Sequence, residues 1–207
     1  MIHVVHHPDY VTPAPARSTY RWNKNGLIRD LLLERGEAVT WHRAEQTPTA
    51  WLEAVHDEDY VAEVLEARVP KEKERRIGFP VTAAVASRAA IVPHGTWLAA
   101  CLALEHGFAA NTAGGSHHAL ANTGAGFCVF NDLAVAAARL IDEGRVARAP
   151  CPHPSHGEVA AGPFPLPFRE RAKKKARGLG STGSLNFGRR GKAASSVGRC
   201  PPAGDSA

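Results

Sequence analysis

Short β-branched segments alternate with helix-forming ones as far as Gly144, and there the alternation stops. Residues 2–6 and 39–41 read as strands. Apolar residues at helical spacing predict the helices between and after them. Leu27, Ile28, Leu31 and Leu32 share a face behind an Asn25 cap and before Gly36; Trp51, Leu52 and Val55 follow Pro48; Tyr60, Val61, Val64 and Leu65 follow an Asp57 cap. Residues 71–76 form a charge run, expected to be a solvated loop. An Ala-rich helix is expected over 81–91, and a separate one over 97–105, capped by Thr96 and closed by Gly107. Residues 108–110 lead into a Gly114-Gly115 turn, and Asn131 caps an apolar helix over 133–141 that ends at Gly144. This order predicts an α/β domain with a largely parallel sheet flanked by helices.

Such a pattern calls next for another buried strand, written as an apolar run. The chain instead reads Arg145-Val146-Ala147-Arg148-Ala149-Pro150-Cys151-Pro152, with Pro154 close behind. Proline cannot donate to a central ladder. In 146–207, Leu, Ile, Val and Phe supply 9 of 62 residues and Pro and Gly 17 of 62. That is too little apolar area to offset chain entropy, so a disordered tail is expected there. The charge changes at the same place. Residues 1–145 hold 14 Lys/Arg against 17 Asp/Glu, and residues 146–207 hold 11 against 3. The expected organisation is a partial domain over 1–145 and a basic, Pro/Gly-rich tail over 146–207.

The remaining composition excludes some classes. No uncharged apolar stretch is long enough to span a membrane. The opening Met1-Ile2-His3-Val4-Val5 lacks a basic region followed by an apolar run, which predicts a cytoplasmic protein. Cys101, Cys128, Cys151 and Cys200 are widely spaced and read as free thiols. The basic run at 169–177 has no interleaved aromatic, so it reads as a solvated tail rather than a nucleic-acid surface. Cys151, His153, His156 and Glu158 are metal-ligand types at an atypical spacing.

The chemistry concentrates in Gly114-Gly115-Ser116-His117-His118-Ala119 and in Gly126-Phe127-Cys128-Val129-Phe130-Asn131-Asp132. Adjacent histidines on a strand would face opposite ways, whereas a Gly-rich loop can aim both rings at one site. Imidazoles titrate near neutrality, and two neighbouring rings resist a second proton, so the pair suits acid–base work. Asn131 and Asp132 most simply cap the following helix, and Cys128 reads as a small core residue beneath the site.

Together these motifs resemble the histone deacetylase superfamily, which includes histone deacetylases, acetoin-utilisation proteins and acetylpolyamine amidohydrolases. His6-His7-Pro8-Asp9-Tyr10, His56-Asp57 with Tyr60-Val61, and Pro93 with Gly95-Thr96-Trp97 support the resemblance, which covers roughly residues 1–145. It implies an arginase–deacetylase-like fold, incomplete on its C-terminal side, and zinc-dependent removal of acetyl groups from acetyl-lysine or acetylated polyamines. By the same resemblance His117 and His118 are the tandem catalytic histidines, and Gly126 and Phe127 line the acyl-lysine tunnel. Arg17 or Arg21 would correspond to the family's internal-channel arginine.

The family's zinc ligands follow this helix as Asp-x-His, with a second Asp further on. Here no Asp is followed two residues later by His, no Asp lies between Asp142 and Asp205, and Tyr60 is the last tyrosine. Zinc is therefore expected from the resemblance but not from this chain's own ligands, and the chain is expected to be inactive. A shifted reading frame or a truncated gene would produce such a break. The alternative is a non-catalytic remnant that binds a partner through its basic tail.

Overall fold

The computed structural model of the chain describes residues 1–15 and 18–147. The expected tail over 146–207 lies almost wholly outside the described residues, as do Arg17, the cysteine–histidine cluster from Cys151 and the basic run at 169–177.

Three strands form one parallel sheet in the order β2-β1-β3, where β1 is Ile2–His6, β2 is Val39–Arg43 and β3 is Ala109–Asn111. Strand β1 is central. Its Val4 pairs with Trp41 on one side and Ala110 on the other, and Val5 pairs with His42 and Asn111. Val4 and Val5 are both buried although they point to opposite faces, as expected for a parallel strand covered on both sides. Among the described residues there are six α-helices, α1 Lys24–Glu34, α2 Thr49–Glu53, α3 Glu58–Leu65, α4 Lys71–Ile77, α5 Ala83–His106 and α6 Asp132–Asp142, besides a 3-10 turn at Pro8–Tyr10. The expected α/β class, a parallel sheet flanked by helices, is the one observed. Strand β3 was not anticipated, because Ala-Ala-Asn carries no β-branched residue.

Helix α5 is the axis of the molecule. Leu98, Cys101 and Leu102 on its C-terminal half pack with Val5 of the sheet, while Val85 and Ala86 on its N-terminal half pack with Leu52, Tyr60, Val64 and Ile77. It is apolar all round, as a helix between two cores must be. The expected division into two helices does not hold, and Thr47 is the reason. Pro93 sits inside the helix, where its ring breaks the regular ladder. The backbone N–H of His94 donates to Thr47 Oγ1 at 3.0 Å, and the Ala90 carbonyl that would have received it accepts from the Thr47 N–H at 2.8 Å. One threonine from a neighbouring loop thus replaces the missing rung. Thr96, expected as a cap, instead donates its hydroxyl to Asp132.

Two further expectations are corrected. Asn25 lies inside α1, not at its cap; it is fully buried and donates from Nδ2 to the Tyr10 carbonyl at 3.2 Å, while Asn23 holds the cap position. Residues 71–76 are helical rather than a loop. Glu72 and Glu74 fall in the first turn of α4, Arg75 and Arg76 in the last, and Gly78 closes it at φ 101°. That charge order complements the helix dipole and was the available signal.

Candidate functional site

The site lies beyond the carboxyl ends of β1 and β3, where parallel sheets present their loops. After β3 the chain passes through Thr112, whose hydroxyl is 2.9 Å from His6 Nδ1 at the end of β1. It then turns at Gly114-Gly115. Gly115 adopts φ 97°, and a Cβ on Gly114 would come within 2.7 Å of Thr96 Oγ1 and 3.2 Å of Asp132 Oδ2. Only glycine allows the loop so close to the carboxylate that holds it.

Asp132 is that anchor. It is 1% exposed and accepts from the Thr96 hydroxyl and from the backbone N–H groups of Gly115, at 2.9 Å, and Ser116. Burial pushes its carboxyl above the usual range, against the opposing pull of these hydrogen bonds. Asn131 caps α6 by accepting from the Ala134 N–H at 3.0 Å, and its Nδ2 lies 3.4 Å from the carbonyls of both His117 and Ala119. The expectation that Asn131 caps the helix holds. Asp132 does more than cap, because its carboxylate fixes the turn before the histidines.

The structure brings the expected site residues together. The His117 and His118 rings are 4.1 Å apart between centroids, tilted by 39°. His117 Nδ1 donates to the Gly115 carbonyl at 3.0 Å. Gly126 lies against His118, so that a Cβ there would be 3.4 Å from the ring. Phe127 follows at φ 67°, a conformation non-glycine residues seldom hold without support. The support is the end of α4. Gly126 N–H donates to the Arg76 carbonyl at 3.0 Å, and Phe127 N–H to the Ile77 carbonyl at 2.7 Å. The Phe127 ring sits over Gly78 and lies parallel to Phe79, with centroids 6.2 Å apart. It remains 43% exposed, a flat apolar wall beside the two imidazoles. Cys128 is buried with its thiol 3.6 Å from the Gly126 carbonyl, and neither it nor the buried Cys101 forms a disulfide among the described residues.

A half-open pocket lies alongside, lined by Arg88, Ser116, Phe127, Phe130 and Asp132 among others. Arg88 was missed from the sequence. Its Nε donates to the Tyr10 carbonyl at 3.2 Å and its Nη2 to the Tyr20 hydroxyl at 3.0 Å. The guanidinium also lies over the rings of Tyr20 and Trp22. Arg21, one of the two candidates for the channel arginine, is exposed. An arginine in mid-helix among alanines carries no sequence signal of its burial.

No group of three or more His, Cys, Asp or Glu side chains among the described residues could hold a metal ion. Both oxygens of the buried Asp132 are taken by the turn. The described residues therefore do not fit a catalytic zinc, which needs about three protein ligands and an open position. No described helix is long and apolar enough to cross a membrane.

The family described as the histone deacetylase domain matches residues 16–149. An uncharacterized protein of Picosynechococcus sp. is 44% identical over 147 residues, which are 70% of this chain and 49% of that protein. Histone deacetylase 2 of Arabidopsis thaliana is 54% identical over 41 residues, 20% of this chain and 11% of that protein. The chain thus spans about half the length, or less, of these curated relatives. The crystal structure of the HDA15 HD domain superposes with a TM-score of 0.53 at 17% identity, over 66% of this chain and 42% of that one. That likeness carries the fold alone.

Proposed function

This chain belongs to the histone deacetylase family, and from that premise we propose that His117 and His118 are the acid–base pair of an amide-hydrolysing site that releases acetate from an N-acetylated amine. The observation that carries the reading is the pair itself. Two imidazoles 4.1 Å apart stand beside an exposed aromatic wall, on a loop that a buried carboxylate holds in place. Amide hydrolysis needs one proton taken from the attacking water and one delivered to the departing nitrogen. Two rings on one loop serve both ends of that transfer. Phe127 offers a flat face to an extended aliphatic chain, and Gly126 leaves room for that chain beside His118. Acetyl-lysine and acetylated polyamines are the substrates such a wall suits.

The metal belongs to the family's chemistry, where it supplies activation of the water. The sequence has no Asp followed two residues later by His, and the described residues offer no ligand cluster, so we hold that this chain alone does not turn substrate over. Metal analysis after dialysis and hydrolysis of an acetyl-lysine reporter test this together. The expected result is no stoichiometric zinc and no turnover, while an acetyl-lysine peptide perturbs the NMR signals of Phe127 and His118. Stoichiometric zinc, with turnover abolished by His117→Ala, would retain the role of the pair and overturn the metal-free reading. Turnover that survives both His117→Ala and His118→Ala would overturn the role itself.

A further inference from the structure

His56 lies between α2 and α3, is 1% exposed, and uses both ring nitrogens. Nδ1 is 2.9 Å from the Leu120 carbonyl oxygen. A carbonyl only accepts, so Nδ1 carries the hydrogen. Nε2 is 3.0 Å from the backbone nitrogen of Asn131. That N–H only donates, so Nε2 presents its lone pair. The two contacts together define a neutral imidazole in its Nδ1–H tautomer.

Both partners belong to the site. Leu120 ends the loop that carries His117 and His118, and Asn131 is the residue whose side chain reaches back to the carbonyls of His117 and Ala119. One neutral ring therefore joins the far end of the histidine loop to the start of α6. We propose that His56 is a proton-sensitive positioning residue for this loop: neutral, it ties Leu120 to Asn131; protonated at Nε2, it loses Asn131 and lets the loop part from α6.

A proton on Nε2 would set two donors face to face, on a ring that is itself buried. It would also place a cation at the N-terminal end of α6, where the helix dipole is positive. The surroundings keep the switch on the acid side. Burial is the largest influence and holds the imidazole below its ordinary value of 6.5. The carbonyls of Leu120 and Ala121 and the carboxylate of Asp57, at the head of α3, pull the other way. Tyr60 of α3 and Phe130 before α6 pack on the ring, with centroids 6.0 and 5.1 Å away. Burial keeps Tyr60 un-ionised, so it adds no charge. With the folded-state value lowered, the unfolded chain takes up the proton first. The contribution of His56 is complete above about 6.5 and is lost as the pH falls through the lower folded-state value.

The consequence for catalysis rests on the acid–base role of His117 and His118; the test does not, because it reads no turnover. Nitrogen-15 NMR of the full chain reports the His56 tautomer, and hydrogen exchange reports the protection of the Asn131 amide against pH. The expected result is the Nδ1–H tautomer at neutral pH, with Asn131 protection falling by about tenfold or more as His56 titrates. His56→Gln places a non-titrating acceptor near the position of Nε2, and Asn131 protection should then hold through the same pH range. His56→Asn retains a donor near the position of Nδ1 without that acceptor, and protection should be low already at neutral pH. An Nε2–H tautomer, or the same acid loss of protection in His56→Gln, would overturn the proposal. Should either variant fail to fold, the tautomer of the native chain and the match between the His56 and Asn131 midpoints decide the matter.

Discussion

Helices α1 and α6 are each eleven residues long, and they are built into the molecule in opposite ways. Helix α6 begins with a side-chain cap from Asn131, buries Asp132, Val135, Ala136 and Leu140, and ends with Arg139 paired to Asp142 and Glu143. Helix α1 has no side-chain cap bond, and Asn25 is its one buried residue. Its Leu27, Ile28, Leu31 and Leu33 are between 43% and 58% exposed. Apolar spacing predicted both helices, but it is weaker in α1, where much of the apolar surface stays exposed, than in α6, where it is buried. The candidate site sits at the helix whose first turn is fixed in every direction. That is where reacting groups can be held within the narrow tolerance that proton transfer demands.

The largest effect that would test this contrast is at the anchor. Asp132→Ala leaves the half-buried Thr96 hydroxyl and the N–H groups of Gly115 and Ser116 without their acceptor. Each unsatisfied donor costs about 1–3 kcal/mol, so the variant should lose about 3 kcal/mol or more in urea unfolding. A loss below about 1 kcal/mol would mean the loop does not depend on α6. The next largest effect is at the aromatic wall. Gly78→Ala forces a side chain at φ 101° and brings Cβ within 2.9 Å of the Phe127 ring. About 2 kcal/mol should be lost, with the Phe127 ring signals shifted. Unchanged ring signals would show that α4 does not seat the wall.

The histidine loop and the capped start of α6 were legible in the sequence because their chemistry is local. A Gly-Gly turn, two adjacent histidines and an Asn cap each act within a few residues of themselves. Arg88, the anchoring role of Asp132 and the tie at His56 were not legible as contacts. Each depends on groups far away in the chain: Arg88 on Tyr10 and Tyr20, Asp132 on Thr96, and His56 on Leu120 and Asn131. The continuity of α5 was hidden for the same reason, since Pro93 ends a helix unless something supplies the missing rung, and Thr47 supplies it from another loop. The helical charge order of α4 was legible and was read as a loop, because a run of charges without apolar spacing resembles a solvated segment.

A smaller effect compares the two caps directly. Asn131→Ala removes a bonded cap and two contacts to the histidine loop, and should cost about 1–2 kcal/mol. Asn23→Ala removes a side chain that makes no cap bond, and should fall within about 0.5 kcal/mol of the native chain. Equal losses at the two positions in denaturant unfolding would break the contrast between the helices.

The smallest effect lies on the open face of α1 and is the sharpest test of what that face is. Leu31 is 46% exposed, in the last half of the helix, beside the exposed Leu27 and Ile28. Leucine and glutamine have similar helix propensity, so Leu31→Gln leaves the intrinsic preference of the segment almost unchanged. If the face meets only water, the side chain gives up little burial, and stability should shift by no more than about 0.5 kcal/mol. A leucine buried against a partner surface would instead contribute about 1.5–3 kcal/mol. That loss would appear either in the unfolding midpoint of the full chain or, for a second copy, as a dependence of the midpoint on protein concentration. A loss above about 1 kcal/mol in Leu31→Gln would therefore show that α1 is covered in solution, and that its few contacts within the described residues are half of an interface rather than the whole of its packing.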